Sequence, residues 1–328
     1  MITLSDIRAA RARLHGVTTR TRLIELPQNQ WGESSLAVGR DPRRLFLKPE
    51  NQQPIGAFKL RGAYNKIASL PEQERKRGVI SYSSGNHAQG VAYAARALGV
   101  KAVIVMPNNA PAIKREATAK LGAEIVLVGP GSDERKTKAE ELAAQHGYVI
   151  VPPYNDEQII AGQGTIGLEI LEDLPEVEAI FSPVGGGGLI SGVATAIKLI
   201  KPSVKVIGVE PELAADARAS LRSGKIVQFA AEQVSRTLAD GLRTQSIGSI
   251  NFEHIRRFVD DIITVAEDEI RRTMKVLAAN PATVAEPSGA VAVAGFLFHR
   301  DQVPQTKLNV AIISGGNIEP GVLEEIRR

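Results

Sequence analysis

Seven short runs rich in β-branched residues, spread along the whole chain, constrain its fold more than any other feature. They are GVISYSS (78–84), AVIVM (102–106), EIVLV (124–128), YVIV (148–151), AIFSPV (179–184), VKVIGV (204–209) and NVAIIS (309–314). Runs of this kind read as strands, and the segments between them carry helical spacing, as in Val91, Ala94, Ala95 and Leu98. Strand and helix therefore alternate, so the sheets should be mainly parallel and the chain an α/β protein. The stretches SLPEQERKRG (69–78) and VPPYNDEQ (151–158) are polar and contain proline, and both read as crossings between lobes. That assigns 76–151 to a small α/β domain and 1–75 with 152–328 to a larger one, with a small-molecule site expected in the cleft between them.

Composition narrows the class. At 328 residues, 43% hydrophobic and 23% charged, the chain is expected to be a soluble globular protein of about two domains. Forty Lys and Arg against 36 Asp and Glu leave a net charge of +4 with the signs interleaved, and aromatics are only 4%, so no nucleic-acid partner is expected. The absence of cysteine excludes disulfides, a thiolate nucleophile and Cys-ligated zinc, and fits the cytoplasm. The N-terminal MITLSDIRAARARL offers Ser5 as the cap of an arginine-rich helix and not a signal peptide. No run approaches the roughly 18 apolar residues of a membrane helix, so no membrane partner is expected.

In SPVGGGGLISG (182–192) a strand ends in four glycines and a helix begins. Backbone N–H groups at a positive helix end suit a phosphate, and four glycines in a row lose much entropy on ordering. The run completes neither G-x-G-x-x-G nor a P-loop, and H-E-x-x-H and G-x-S-x-G are absent, which removes the dinucleotide, P-loop, zincin and α/β-hydrolase readings. SSGNHAQG (83–90), directly after a strand and leading into a helix, reads singly as an ordinary capped helix, but its small polar residues and glycine can also donate several hydrogen bonds to a carboxylate. Lys59 in PIGAFKLRG, EPSGA (286–290) and ISGGN (313–317) read singly as a solvated helix lysine and two turns. Together, a lysine, a phosphate cradle, a carboxylate-sized loop and a serine after the last strand are the parts needed to hold pyridoxal phosphate and an amino acid.

On these motifs, with AGQGT (161–165), VEPE (209–212) and ADG (239–241) in order between them, the chain resembles the fold type II pyridoxal-phosphate enzymes, which are tryptophan synthase β-like. It is most similar to the group of threonine/serine ammonia-lyases (dehydratases), serine racemase and hydroxyaspartate ammonia-lyase. The resemblance implies that Lys59 carries the cofactor as a Schiff base and serves as catalytic base, with Phe58 against the ring. It implies that Gly185, Gly186, Gly187 and Gly188 bind the phosphate, Asn86 the ring hydroxyl and Ser314 the pyridine nitrogen. A neutral serine does not force that nitrogen to stay protonated, which makes the cofactor a milder electron sink, suited to β-elimination. The substrate carboxylate would rest on Ser83, Ser84, Gly85, Asn86 and His87.

β-Elimination from L-threonine or L-serine would follow, the hydroxyl leaving and the resulting enamine hydrolysing to ammonia and a 2-oxo acid, with serine racemase or L-threo-3-hydroxyaspartate ammonia-lyase as alternatives and a non-catalytic binding protein as the reading from another class. Ser84 stands where serine racemase has a second acid/base. Glu210, Ala214 and Asp216 resemble that enzyme's site for Mg²⁺ (or Ca²⁺ or Mn²⁺), and Arg135 matches a position that helps hold a carboxylate-bearing ligand. Ala57 departs from the serine common before the lysine. A homodimer or homotetramer is expected, and, since the chain ends soon after SGGN, no C-terminal amino-acid-sensing domain.

Overall fold

All seven runs become strands. The computed structural model describes residues 1–31, 42–110, 112–129 and 131–327. Its strands are β1 (Ile24–Leu26), β2 (Arg44–Pro49), β3 (Val79–Tyr82), β4 (Ala102–Pro107), β5 (Glu124–Val128), β6 (Val149–Ile150), β7 (Ala179–Pro183), β8 (Lys205–Pro211), β9 (Asp261–Val265) and β10 (Leu308–Ile313). Strands β1, β2 and β9 were not expected from the sequence. Helices α1 (Leu4–Leu14), α2 (Lys59–Ser69) and α3 (Glu72–Arg77) precede β3; α4 (Asn86–Ala97), α5 (Ala112–Lys120) and α6 (Ser132–His146) join the next strands. Then follow α7 (Glu157–Asp173), α8 (Gly188–Ile200), α9 (Asp216–Ser223), α10 (Ala231–Val234), α11 (Ser249–Phe258), α12 (Glu267–Leu277), α13 (Pro287–Phe298) and α14 (Pro320–Arg327).

The strands form two sheets, β1-β2-β10-β7-β8-β9 and β5-β4-β3-β6. Only the β1–β2 pair is antiparallel among these ladders. Successive residues of the larger sheet enter opposite cores: Phe181, Ala311 and Ile313 pack with α13 on one face, while Ile180, Val310 and Ile312 pack with α8 on the other. A sheet covered on both faces must be made of nearly continuous apolar runs, which is why these strands were legible.

One local expectation differs from the structure. The cap of α1 is Thr3, whose hydroxyl accepts from Asp6 N while Asp6 accepts from Thr3 N at 2.7 Å; Ser5 lies inside the helix. The 69–78 stretch carries a helix of its own, since Pro71 leads directly into α3.

Candidate active site

In the larger sheet the chain runs from β7 outward to β8 and β9, then returns to place β10 on the other side of β7. The β7/β10 boundary is thus a topological switch point, where parallel α/β sheets bind ligands beyond the carboxyl ends of their strands. The glycine run follows β7, Ser314 follows β10 and the Ser83–His87 loop follows β3.

Lys59 is the first residue of α2. Its approach is fixed by Gly56, whose φ of 71° is a left-handed turn, and by an antiparallel bridge between Ala57 and Gly315. Phe58 N donates to Ser314 O at 3.0 Å, so the lysine and the serine loop are joined through one residue. Lys59 Nζ lies 5.3 Å from the Phe58 ring centre and donates to Pro153 O at 2.7 Å. Burial lowers its pKa to about 8. Behind it Arg61 is fully buried, with a bidentate pair to Glu50 at 2.8 Å and bonds to Glu169 at 2.7 and 2.9 Å; Lys48 completes the network on Glu169 at 2.5 Å. Four buried charges in mutual contact lock α2 to β2 and α7. A cavity of about 480 Å³ lies on this far side, against Arg61, Thr165 and Glu169, and Lys59 is not part of its lining.

Gly185, Gly186 and Gly187 lead into α8, whose first residue is Gly188. Gly187 has φ 92°, a conformation that a side chain would strain. A Cβ on Gly186 would stand 2.2 Å from the Tyr154 ring, so that ring occupies the space a side chain would need. Consecutive residues Pro153 and Tyr154 therefore touch the lysine amine and the glycine run. In the sequence this segment reads only as a crossing between lobes; the signal that marks it is a double proline, followed by an aromatic residue, just beyond a strand.

Asn86 opens α4 and is clamped at both ends of its amide. Its Nδ2 donates to Glu286 Oε1 at 2.6 Å and its Oδ1 accepts from Asn317 Nδ2 at 2.7 Å. Glu286 is buried, and desolvation, with the nearby Asp240 charge, pushes its carboxyl up to about 8. Glu286 and Asn317 were not expected as site residues, although EPSG and SGGN contain them. On the same loop Ser83 Oγ accepts from Gly85 N at 3.3 Å, and Ser84 and Gly85 are half-buried. His87 is buried, bonded through Nε2 to Val151 O at 3.0 Å; burial, reinforced by Lys59, lowers its pKa to about 3 and leaves it neutral. Ser314 is buried, its hydroxyl 3.4 Å from Ser288 O. Arg135 is half-buried on α6, with Nε reaching Gly131 O at 3.4 Å, and burial lowers its pKa.

Glu210 and Asp216 are both fully buried. Glu210 accepts from Ala217 N and Arg218 N at 3.0 and 2.8 Å, capping α9, while neither Asp216 carboxylate oxygen makes a hydrogen bond of good geometry, although the backbone N–H groups of Asp216 itself and Ile247 lie near enough to favour its charge. Desolvation raises both pKa values, Glu210 further through Asp216, and Asp216 reaches about 7. Ala214 is buried in the turn between them. Among the described residues no group of three or more His, Cys, Asp or Glu side chains could hold a metal ion.

A side-chain-free helix N-terminus, a lysine of lowered pKa and a buried hydroxyl at the same switch point fit pyridoxal phosphate, and with this sheet order they define a fold type II pyridoxal-phosphate enzyme. The family model described as pyridoxal-phosphate dependent enzyme matches residues 16–315, and the chain belongs to that family. It is 47% identical to an L-threonine ammonia-lyase of Thermotoga maritima, over 99% of this chain and 78% of that protein. It is 43% identical to the L-threo-3-hydroxyaspartate ammonia-lyase of Saccharomyces cerevisiae, over 84% of this chain and 83% of that protein. The solved structure of maize serine racemase superposes with a TM-score of 0.91 at 36% identity, covering 98% of this chain and 96% of that one. Among the described residues no helix is long and apolar enough to cross a membrane.

Proposed function

We propose that the chain is a pyridoxal-phosphate-dependent ammonia-lyase that converts L-threonine and L-serine to ammonia and 2-oxobutanoate or pyruvate. The observation that carries this reading is Lys59, an amine of pKa about 8 at the start of α2, tied through Pro153 and Tyr154 to a side-chain-free helix N-terminus. When bound, pyridoxal phosphate supplies the electron sink that acidifies the substrate α-proton. Gly185 to Gly188 hold the phosphate with backbone N–H groups, Asn86 the ring hydroxyl, Ser314 the pyridine nitrogen, and Phe58 the ring face. The Ser83–His87 loop and the α4 N-terminus hold the substrate carboxylate, with Arg135 as a further cation. Lys59 Nζ takes the α-proton as the β-hydroxyl leaves. An amine of pKa about 8 is neutral roughly one time in ten at pH 7, against roughly one in 2,500 for an ordinary lysine near 10.4.

A second reading, serine racemisation, is favoured by Ser84 as an acid/base on the other face and by the buried, weakly hydrogen-bonded Asp216 carboxylate, which we assign with Glu210 and the Ala214 carbonyl to a divalent cation, Mg²⁺, Ca²⁺ or Mn²⁺. Hydroxyaspartate elimination is supported by the yeast relative. The same reading carries a small domain at 76–151, supported by a sheet whose strands all fall between residues 79 and 150, a homodimer or homotetramer, and a cytoplasmic location. The test is incubation of cofactor-loaded protein with L-threonine, L-serine and L-threo-3-hydroxyaspartate, assaying 2-oxo acid and the chirality of residual serine. Fast 2-oxobutanoate release from threonine is expected. Turnover of hydroxyaspartate alone, or D-serine without pyruvate, would replace this reading with one of its alternatives.

A further inference from the structure

A second helix reaches the glycine run from behind. Gly248, the residue before α11, donates its N–H to Gly186 O at 3.1 Å. In a planar trans peptide the carbonyl and the following N–H point in opposite directions, so anchoring Gly186 O fixes where Gly187 N–H points. Asn155 secures the same turn of α11, accepting from Ile250 N at 2.9 Å. The third residue of α11, Asn251, is fully buried and packs on Gly187 so closely that a Cβ there would stand 2.9 Å from Asn251 Cβ. Its Nδ2 donates to Tyr154 O at 3.3 Å and to Ser191 Oγ on α8 at 3.4 Å, and Ser191 Oγ donates back to Asn251 O at 3.3 Å. One amide thus ties together α8, α11 and the segment whose tyrosine ring fills the space beside Gly186. Its Oδ1 has no protein partner.

We propose that Asn251 is a positioning residue for the cofactor phosphate: it holds Gly186 and Gly187 in the conformation that presents their N–H groups. The proposal rests on the pyridoxal-phosphate reading of the glycine run. A residue that merely fills space would be replaced without loss by an apolar side chain of similar size, whereas one that holds backbone through its amide would not.

The experiment titrates apoprotein with pyridoxal phosphate, following cofactor absorbance for Kd and phosphorus NMR for the bound phosphate. Asn251→Leu keeps the bulk and removes the amide; Asn251→Asp keeps the shape and adds an anion near the phosphate. Ile255→Val thins the packing on the same glycine, whose Cβ position is 3.1 Å from Ile255 Cδ1, and changes no hydrogen bond. Both Asn251 variants should raise Kd about tenfold or more, Asp most, and shift the phosphorus resonance, with kcat largely recovered at saturating cofactor. Ile255→Val should leave Kd and resonance unchanged. Wild-type Kd and resonance in both Asn251 variants would overturn the proposal, as would an equal change in Ile255→Val. Should Asn251→Leu fail to fold, Ser191→Ala removes one partner of the amide: a smaller rise in Kd is expected, and none would overturn the proposal. Failure of wild-type protein to bind pyridoxal phosphate would instead overturn the reading of the site.

Discussion

Replacing Gly186 with alanine separates a phosphate cradle from an ordinary tight turn. The new Cβ would lie 2.2 Å from Tyr154 Cδ1, 2.3 Å from Cε1 and 2.4 Å from Cγ, whereas ordinary contact begins at 3.4 Å. The ring must therefore retreat by 3.4 − 2.2 = 1.2 Å, or the glycine run must move toward the phosphate position by the same amount. Tyr154 is poorly free to yield, since its carbonyl accepts from Asp156 N at 3.0 Å and from Asn251. Overpacking of this kind costs about 1–3 kcal/mol, which corresponds to roughly 5- to 150-fold in affinity if the loop absorbs the strain. The assay is pyridoxal phosphate Kd on apoprotein, beside Gly85→Ala, where a Cβ would meet nothing within 4 Å, and the double variant Gly186→Ala/Tyr154→Ala, which makes room. The single Gly186 variant should lose affinity in that range, the Gly85 variant should not, and the double variant should regain most of it. Wild-type affinity in Gly186→Ala would refute the reasoning, as would equal loss in the double variant.

Three further outcomes are expected. Arg61→Met leaves Glu50 and Glu169 buried without their shared guanidinium and should destabilise the protein by about 3–5 kcal/mol in urea unfolding; a change within experimental error would show that the network does not hold α2. Glu286, buried and raised to about 8, binds a proton in the folded state between about pH 4.3, its unfolded pKa, and 8, so its contribution to stability is full below that window and is lost as pH rises through it. Glu286→Gln should remove that component of the apoprotein's pH–stability profile, and an unchanged slope would place the Glu286 titration elsewhere. If a cation neutralises Glu210 and Asp216, chelation should lower Tm by a few degrees and Mg²⁺ should restore it, with Asp216→Ala mimicking the stripped protein; indifference to chelator removes the metal from the account.

How much could be read from the sequence follows from where each element's stability comes from. Buried parallel strands declare themselves, because Ile180 and Phe181, or Val310 and Ala311, must both be apolar. Strand β2 did not, because its Lys48 is charged yet fully buried, and the carboxylate that makes this tolerable is Glu169, 121 residues away. Lys59 and the glycine run were legible because their chemistry is local. Pro153, Tyr154, Asn251 and Glu286 were not, because each acts through a partner distant in sequence. The AGQGT motif is explained by packing: a Cβ on Gly162 would stand 2.6 Å from Arg61 O, and one on Gly164 3.0 Å from Gly192 O, so these glycines let α7 lie against both the lysine helix and the cradle helix. Sequence order alone could not separate that role from ligand binding.

Whether Lys59 bears the cofactor is read out by borohydride reduction of the pyridoxal-phosphate-loaded protein, followed by digestion and mass spectrometry. One phosphopyridoxyl group per chain is expected, on the peptide containing Lys59, and none in Lys59→Ala. Stoichiometric labelling of a different lysine, or equal labelling in the variant, would contradict it.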